Sequence, residues 1–309
     1  MKRRSVLLGT ALALSVALPA GARLRQNANP SHFFSGDTGG ELTSCGCKTE
    51  DLGGLSRRAA FLDTLTSSGW DYPLLDAGGL GAYGPLNAQT RLKLETLCRA
   101  LGAMGYDAVT VGREDVKHGP DVVRQIAEWL GQPLLATNFT LPAGTSEPSR
   151  IITSRQHTVG VIALMDPALA DSGAAWVNAQ PFASVASAVE QLAAQVDVVV
   201  ALAQITDLAT AERLMDELPQ ENVVLAGNKG LLPGELKVMP NGGIMGVGTQ
   251  GKHLGRIELV LDADQTIREV YGDYLPVIKD WGFRPYVDDL IATYHRKMRE
   301  LMFAAPEDQ

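Results

Sequence analysis

Short, uninterrupted apolar runs, each closed by Gly, Asp or Asn, recur along most of this 309-residue chain and set the terms for its fold. Tyr72-Pro-Leu-Leu-Asp, Ala108-Val-Thr-Val-Gly, Pro133-Leu-Leu-Ala-Thr-Asn, Thr158 to Leu164, Val196 to Leu202 and Asn222 to Gly227 are the clearest. Apolar runs this short, without polar alternation, predict strands covered on both faces. Between them the apolar residues switch to helical spacing, as in Leu55, Ala59, Leu62 and Leu65, or Leu94, Leu97, Leu101 and Met104. Val122, Ile126 and Leu130 mark a third such face, and Val185, Val189, Leu192 and Val196 a fourth. Strands alternating with amphipathic helices predict a layered α/β domain. The last third reads differently. Leu236 to Met239, Gly243 to Val247 and Arg256 to Ala263 read as strands joined by turns, with Pro240-Asn-Gly-Gly as a turn signal, so a second, mixed or antiparallel sheet is expected there. Residues 285–303 predict a terminal helix lined by Leu290, Tyr294, Met298 and Leu301, with Pro285 in its first turn and Pro306 past its end.

The first residues stand apart from this pattern. Met1-Lys2-Arg3-Arg4 is a positive n-region, Ser5 to Leu18 an apolar h-region, and Ala20-Gly21-Ala22 a small-residue cleavage site. The reading is a signal peptide over 1–22, a polar linker over 23–31, one domain over 32–284, and a helix and tail over 285–309. Arg3-Arg4 fits either a Sec or a twin-arginine signal. The expected location is periplasmic or otherwise exported, and no later stretch is long and apolar enough to span a bilayer. With 45% apolar residues a large core is expected; a net charge of −8 and the absence of any basic block argue against nucleic acid as a partner.

Three cysteines, Cys45, Cys47 and Cys98, leave at least one thiol outside any intrachain disulfide. Cys45-Gly46-Cys47 is compatible with a structural disulfide, with thiol–disulfide exchange or with a soft metal, and pairing of either residue with Cys98 is open as well. The five histidines show no metal-ligand spacing, and His253 is expected in a turn. No phosphate-cradling G-x-x-x-x-G-K-[ST] pattern is present.

Eight stretches fall into a recognisable order. Ser35-Gly-Asp-Thr-Gly-Gly-Glu-Leu-Thr-Ser-Cys-Gly-Cys is followed by Leu52-Gly-Gly-Leu-Ser-Arg-Arg-Ala, Leu74-Leu-Asp-Ala-Gly-Gly and Ala103-Met-Gly-Tyr-Asp-Ala-Val-Thr-Val-Gly-Arg-Glu-Asp. Leu134-Leu-Ala-Thr-Asn, Val198-Val-Val-Ala-Leu-Ala-Gln, Val224-Leu-Ala-Gly-Asn-Lys-Gly and Gly251-Lys-His-Leu-Gly-Arg-Ile-Glu-Leu complete the series. From about residue 33 to 263 the chain resembles the N-terminal domain of the 5'-nucleotidase group of calcineurin-like metallophosphatases, to which the thiosulfohydrolases of sulfur oxidation also belong. The resemblance implies a four-layer α/β sandwich, two mixed β-sheets flanked by helices, with the site at the strand ends.

That family works with two metal ions about 3–4 Å apart, held by carboxylate, imidazole and amide ligands. Carried onto this chain, the resemblance leaves Asp37 as the only retained ligand. Its Asp-x-His partner is Gly39, and the bridging Asp is Gly79. The Asn and His of Gly-Asn-His-Glu are Arg113 and Glu114. The lone His is Gln204, and the last His pair is Asn228 and Gly230. The implied reading is a vestigial site of Asp37, Arg113, Glu114, Gln204 and Asn228, with no bound metal and no other cofactor. Asp37 is expected to pair with Arg113. Glu114 and Asp115 would lie in a solvated or salt-bridged loop, or with Asp37 offer oxygens to a harder ion. Arg113, Lys229 and Lys252 would, if they converge, form an anion pocket.

The function expected is therefore a non-catalytic binding protein or complex subunit of the cell envelope. The competing reading is a metal-dependent phosphoesterase with an altered site and a divalent metal pair. Many 5'-nucleotidases carry a further C-terminal domain that grips the nucleoside, and a chain ending on one terminal helix is expected to lack it. The Cys-Gly-Cys-Lys stretch is similar to one in proteins that accompany multihaem cytochromes, which implies a redox protein as one candidate partner.

Overall fold

The computed structural model describes residues 30–46, 50–154, 157–218, 223–227, 236–240, 242–262 and 266–303. The expected signal peptide, nearly all of the linker and the tail beyond 303 lie outside the described residues. The first half runs β1 (Ser31–Ser35), α1 (Leu55–Ser67), β2 (Leu74–Asp76), α2 (Ala88–Ala103), β3 (Ala108–Val109), α3 (Arg113–Val116), α4 (Pro120–Leu130), β4 (Leu134–Leu135), β5 (Ser146–Glu147) and β6 (Ser149–Thr153). The second runs β7 (Thr158–Met165), α5 (Pro167–Gly173), α6 (Ala186–Ala193), β8 (Val198–Gln204), α7 (Leu208–Glu217), β9 (Val223–Ala226), β10 (Leu236–Met239), β11 (Gly242–Gly246), β12 (His253–Leu261), β13 (Ile267–Pro276) and α8 (Pro285–Phe303).

Two mixed sheets carry the fold, one in the order β13-β12-β1-β2-β3 and the other in the order β10-β11-β9-β8-β7-β6. Their side chains explain the uninterrupted apolar runs. Along β7 and β8, Val159, Val161, Ala163, Val198, Val200 and Leu202 join Phe33 and Leu75 of the first sheet in one core. The alternate residues Ile162, Leu164, Val199, Ala201 and Ala203 turn the other way, against Val189 and Leu192 of α6 and Leu214 of α7. A strand whose two faces meet two different cores has no position for a polar residue. On the far side of the first sheet, α1 and α2 add Leu55, Leu62, Leu94 and Leu97, and α8 adds Val287 and Tyr294. The arrangement is the four-layer sandwich of two mixed sheets and flanking helices.

Helix ends are specified locally. Asn87 caps α2 reciprocally with Thr90, and α4 starts on Pro120 and stops at Gly131, which takes a left-handed φ of 74°. One expectation is corrected. The strands of the last third do not form a sheet of their own: β10 and β11 extend the second sheet beside β9, while β12 and β13 extend the first beside β1. β10 and β13, the outer strands, carry the exposed positions, whereas β11 and β12 inside them are buried. His253, expected in a turn, is the first residue of β12 and stacks on Tyr274 of β13 with ring centroids 4.1 Å apart.

The two sheets are also joined by a buried pair of imidazoles. Nε2 of His32 on β1 lies 2.9 Å from Nε2 of His157, just before β7. The Ser154 hydroxyl donates to the His157 carbonyl, so His157 Nδ1–H donates to Ser154 Oγ at 2.9 Å. That leaves His157 Nε2 as the acceptor and His32 Nε2–H as the donor. Burial, reinforced by His157, lowers the His32 pKa to about 3, and burial lowers that of His157 too, although Asp197 and Asp71 act the other way. Both rings are neutral in the folded state but take up protons at the ordinary pKa once unfolded. Stability conferred by the neutral pair is present above about pH 6.5 and is lost as pH falls below it. The raised pKa of Asp76, about 6 through burial, contributes with the opposite sign. Comparison with a His32→Gln/His157→Gln variant cancels that contribution. From about pH 8 to about pH 4 the wild type should lose unfolding free energy relative to the variant; parallel curves in chemical denaturation would contradict the assignment.

Candidate functional site

β1, β2 and β3 run parallel, as do β7, β8 and β9, and the end of β8 meets the end of β2 where Gln204 reaches Ala77. In open α/β sheets ligands bind outside those carboxyl ends. A cavity of about 170 Å³ lies there, lined by Asp37, Gly79, Tyr83, Arg113, Glu114 and Gln204, with Gly227 at its edge. Four of the residues singled out in the sequence, Asp37, Arg113, Glu114 and Gln204, are thus brought together. Asn228 and Lys229 lie outside the described residues. Lys252 is on the turn before β12, against Gly53, and is not among the lining residues.

Each wall has a defined chemistry. Asp37, at the end of the β1 loop, accepts a hydrogen bond from the Tyr83 hydroxyl. Burial and that bond to Asp37 push the Tyr83 pKa up, so the phenol stays protonated and donates. The ion pair expected between Asp37 and Arg113 is not formed among the described residues; Tyr83, absent from the sequence reading, takes that place at the carboxylate. Gln204, fully buried, donates its amide to the Ala77 carbonyl at 2.5 Å and so ties the end of β8 to the loop after β2. Glu114 pairs with Lys117 at 2.7 Å. Two glycines shape the floor. Gly79 has a φ of 74°, and a Cβ there would lie 2.8 Å from Asp37 Cα. A Cβ on Gly227 would meet the Ala77 carbonyl oxygen at 2.1 Å. Neither position admits a side chain without movement of the backbone.

Asp115 corrects a second expectation. It is neither solvated nor salt-bridged but fully buried, and its carboxylate accepts the backbone N–H groups of Gly79, Leu80, Gly81 and Gly112 at 2.7–3.1 Å. Burial pushes its pKa up while these donors hold it down. It fixes the glycine loop that carries Gly79. Beneath, a second buried network supports the strand ends. The Ser35 hydroxyl donates to Asp76 at 2.5 Å and lies 2.8 Å from the Tyr106 hydroxyl, and Arg58 donates to Ser35 and Tyr106 at 3.2 Å each. Neither network has a signal in spacing, because its members are drawn from separate motifs.

The cysteines separate cleanly. Cys98 is fully buried in α2 and forms no disulfide, which corrects the pairing with Cys45 or Cys47 held open above. Burial pushes its thiol pKa well up. Cys45 sits on an exposed loop whose base is tied by Cys45 N–H to the Leu52 carbonyl and by Gly46 N–H to Asp51, itself ion-paired to Arg57 at 2.6 Å. Cys47 lies outside the described residues. Among the described residues, no group of three or more His, Cys, Asp or Glu side chains is placed to hold a metal ion, and no helix is long and apolar enough to cross a membrane.

Solved structures share this architecture. The chain superposes on a 5'-nucleotidase precursor from Thermus thermophilus with a TM-score of 0.73 and 20% identity, over 89% of this chain and 60% of that one. It has the calcineurin-like metallophosphatase fold. The sulfate thiohydrolase SoxB of Thermus thermophilus matches with a TM-score of 0.73 and 15% identity, over 90% of this chain and 62% of that one. The calcineurin-like phosphoesterase YfkN from Bacillus subtilis matches with a TM-score of 0.69 and 17% identity, over 88% of this chain and 98% of that one. The chain thus spans about three fifths of the length of the first two metallophosphatase-fold proteins. No family model matches its sequence, and no curated protein does.

Within this fold Asp115 is a structural residue, and its removal should show in stability. Asp115→Ala strands four buried donors and should cost on the order of 3–5 kcal/mol in urea unfolding. A loss below about 1 kcal/mol would contradict the role assigned to it.

Proposed function

We propose that this chain is a non-catalytic metallophosphatase-fold protein of the cell envelope that acts by binding, as a subunit or ligand receptor. The observation that carries the reading is the donor set around the cavity. A dinuclear site needs a bridging carboxylate and several neutral or anionic ligands aimed at one point. Here the position matching the bridge is Gly79, whose backbone leaves no room for a side chain. Asp37 is engaged by Tyr83, Gln204 by a backbone carbonyl, and Asp115 by four N–H groups. A permanent guanidinium lines the same space and opposes a second positive charge. These residues do not fit a metal pair.

Export to the envelope rests on the basic, apolar and small-residue regions of residues 1–22. A protein partner there fits a cavity without hydrolytic ligands and a pinned loop that presents Cys45.

Metal content and turnover test the reading directly. Purified mature protein loaded with excess Mn²⁺ and passed through a desalting column should retain well under one metal per chain. It should hydrolyse p-nitrophenyl phosphate or bis-p-nitrophenyl phosphate no faster than its Asp37→Ala variant. Two retained metals per chain, with turnover that disappears in Asp37→Ala, would establish the phosphoesterase instead.

A further inference from the structure

The Arg113 side chain lines the cavity beside Asp37 and Glu114. Its Nε is buried without a hydrogen-bond partner, and among the described residues no ion pair or hydrogen bond reaches the guanidinium. The two carboxylates on the same wall are otherwise engaged: Asp37 accepts from Tyr83, and Glu114 is held by Lys117. Desolvated polar groups in folded proteins are nearly always satisfied, so a part-buried guanidinium with no internal acceptor is an argument for an external one. Guanidinium offers its donors as a planar fork, which matches a carboxylate in a bidentate pair.

We propose that the cavity is a binding site for a small, singly charged carboxylate, with Arg113 as its anchor. This rests on the non-catalytic reading and gives it a ligand class. The size permits it: about 170 Å³ is roughly six waters' share of liquid volume, room enough for acetate or lactate. The charge agrees as well. Among the described residues Arg113 is the one cation lining the cavity, and Asp37 and Glu114 line it too, so a monoanion meets less repulsion there than a dianion would. Phosphate and sulfate dianions are therefore disfavoured. The bound carboxylate would lie among Tyr83, Gly79 and Gly227, which line the cavity with Arg113.

Isothermal titration of the full mature chain with sodium acetate and with sodium lactate, at fixed pH and ionic strength against chloride, tests the assignment. Saturable one-to-one binding of at least one of them is expected, tighter than inorganic phosphate or sulfate. Arg113→Gln should weaken it by about tenfold or more. Arg113→Lys, which keeps the charge but not the fork, should fall between. Circular dichroism of each variant separates lost binding from lost folding, and Arg113→Lys serves as the readout if Arg113→Gln does not fold. No saturable binding of either carboxylate, equal affinity in wild type and folded variants, or tighter binding of phosphate or sulfate would overturn the inference. Phosphoester turnover measured on the same samples reports separately on the non-catalytic reading: absent turnover with absent carboxylate binding overturns only the ligand class.

Discussion

The cavity depends on a carboxylate that never reaches it. Asp115 gathers four backbone N–H groups from two chain segments, the glycine loop after β2 and the turn into α3. A run such as Ala77-Gly-Gly-Leu-Gly-Ala has little conformational preference of its own and a large entropy to lose. Four charge-assisted bonds to one buried acceptor supply the missing specification. The left-handed backbone at Gly79 follows from this, as do the approach of that loop to Asp37 and the position of the Tyr83 ring over the cavity. Gln204 adds the matching restraint from the second sheet, through its bond to Ala77.

Burial has opposite effects on two sets of groups in the sandwich. Asp76 and Asp115 are drawn toward the neutral acid, and His32 and His157 toward the neutral base. Both shifts come from excluding charge from the interior between and around the sheets. Arg57, Arg58 and Arg256 are buried cations all the same, and Arg58 is tolerated because Ser35 and Tyr106 accept its hydrogen bonds beside the Asp76 carboxyl. Arg113, only part-buried, has no hydrogen-bond acceptor among the described residues, unlike Arg58.

Much of the architecture was legible in the sequence, for a physical reason. β7, β8 and β9 are covered on both faces, so polar residues stand only at their ends, Thr158 and Gln204, and α8 is bounded by Pro285 as expected. Four residues of the site could be named because each closes or follows a strand. The contents of the cavity could not be worked out the same way. The hold of Tyr83 on Asp37 spans 46 residues, and the imidazole pair joins positions 125 apart. Spacing encodes what is repeated within one element, whereas these contacts are set by how two elements dock. The same limit explains the last third: β10 to β13 look alike as strands, and only the sheet edges available to them decide which sheet each joins.

Cys98 has a consequence for the history of the molecule. Its thiol lies in the core of α2, closed to water and held away from the thiolate form. Oxidants react with thiolates that they can reach, so the folded chain keeps this cysteine reduced in surroundings that oxidise exposed ones. The unfolded chain has no such shelter, and there Cys98 is one of three competitors for the same bonds. In an oxidising medium, folding before oxidation keeps Cys98 out of those bonds, and oxidation before folding does not.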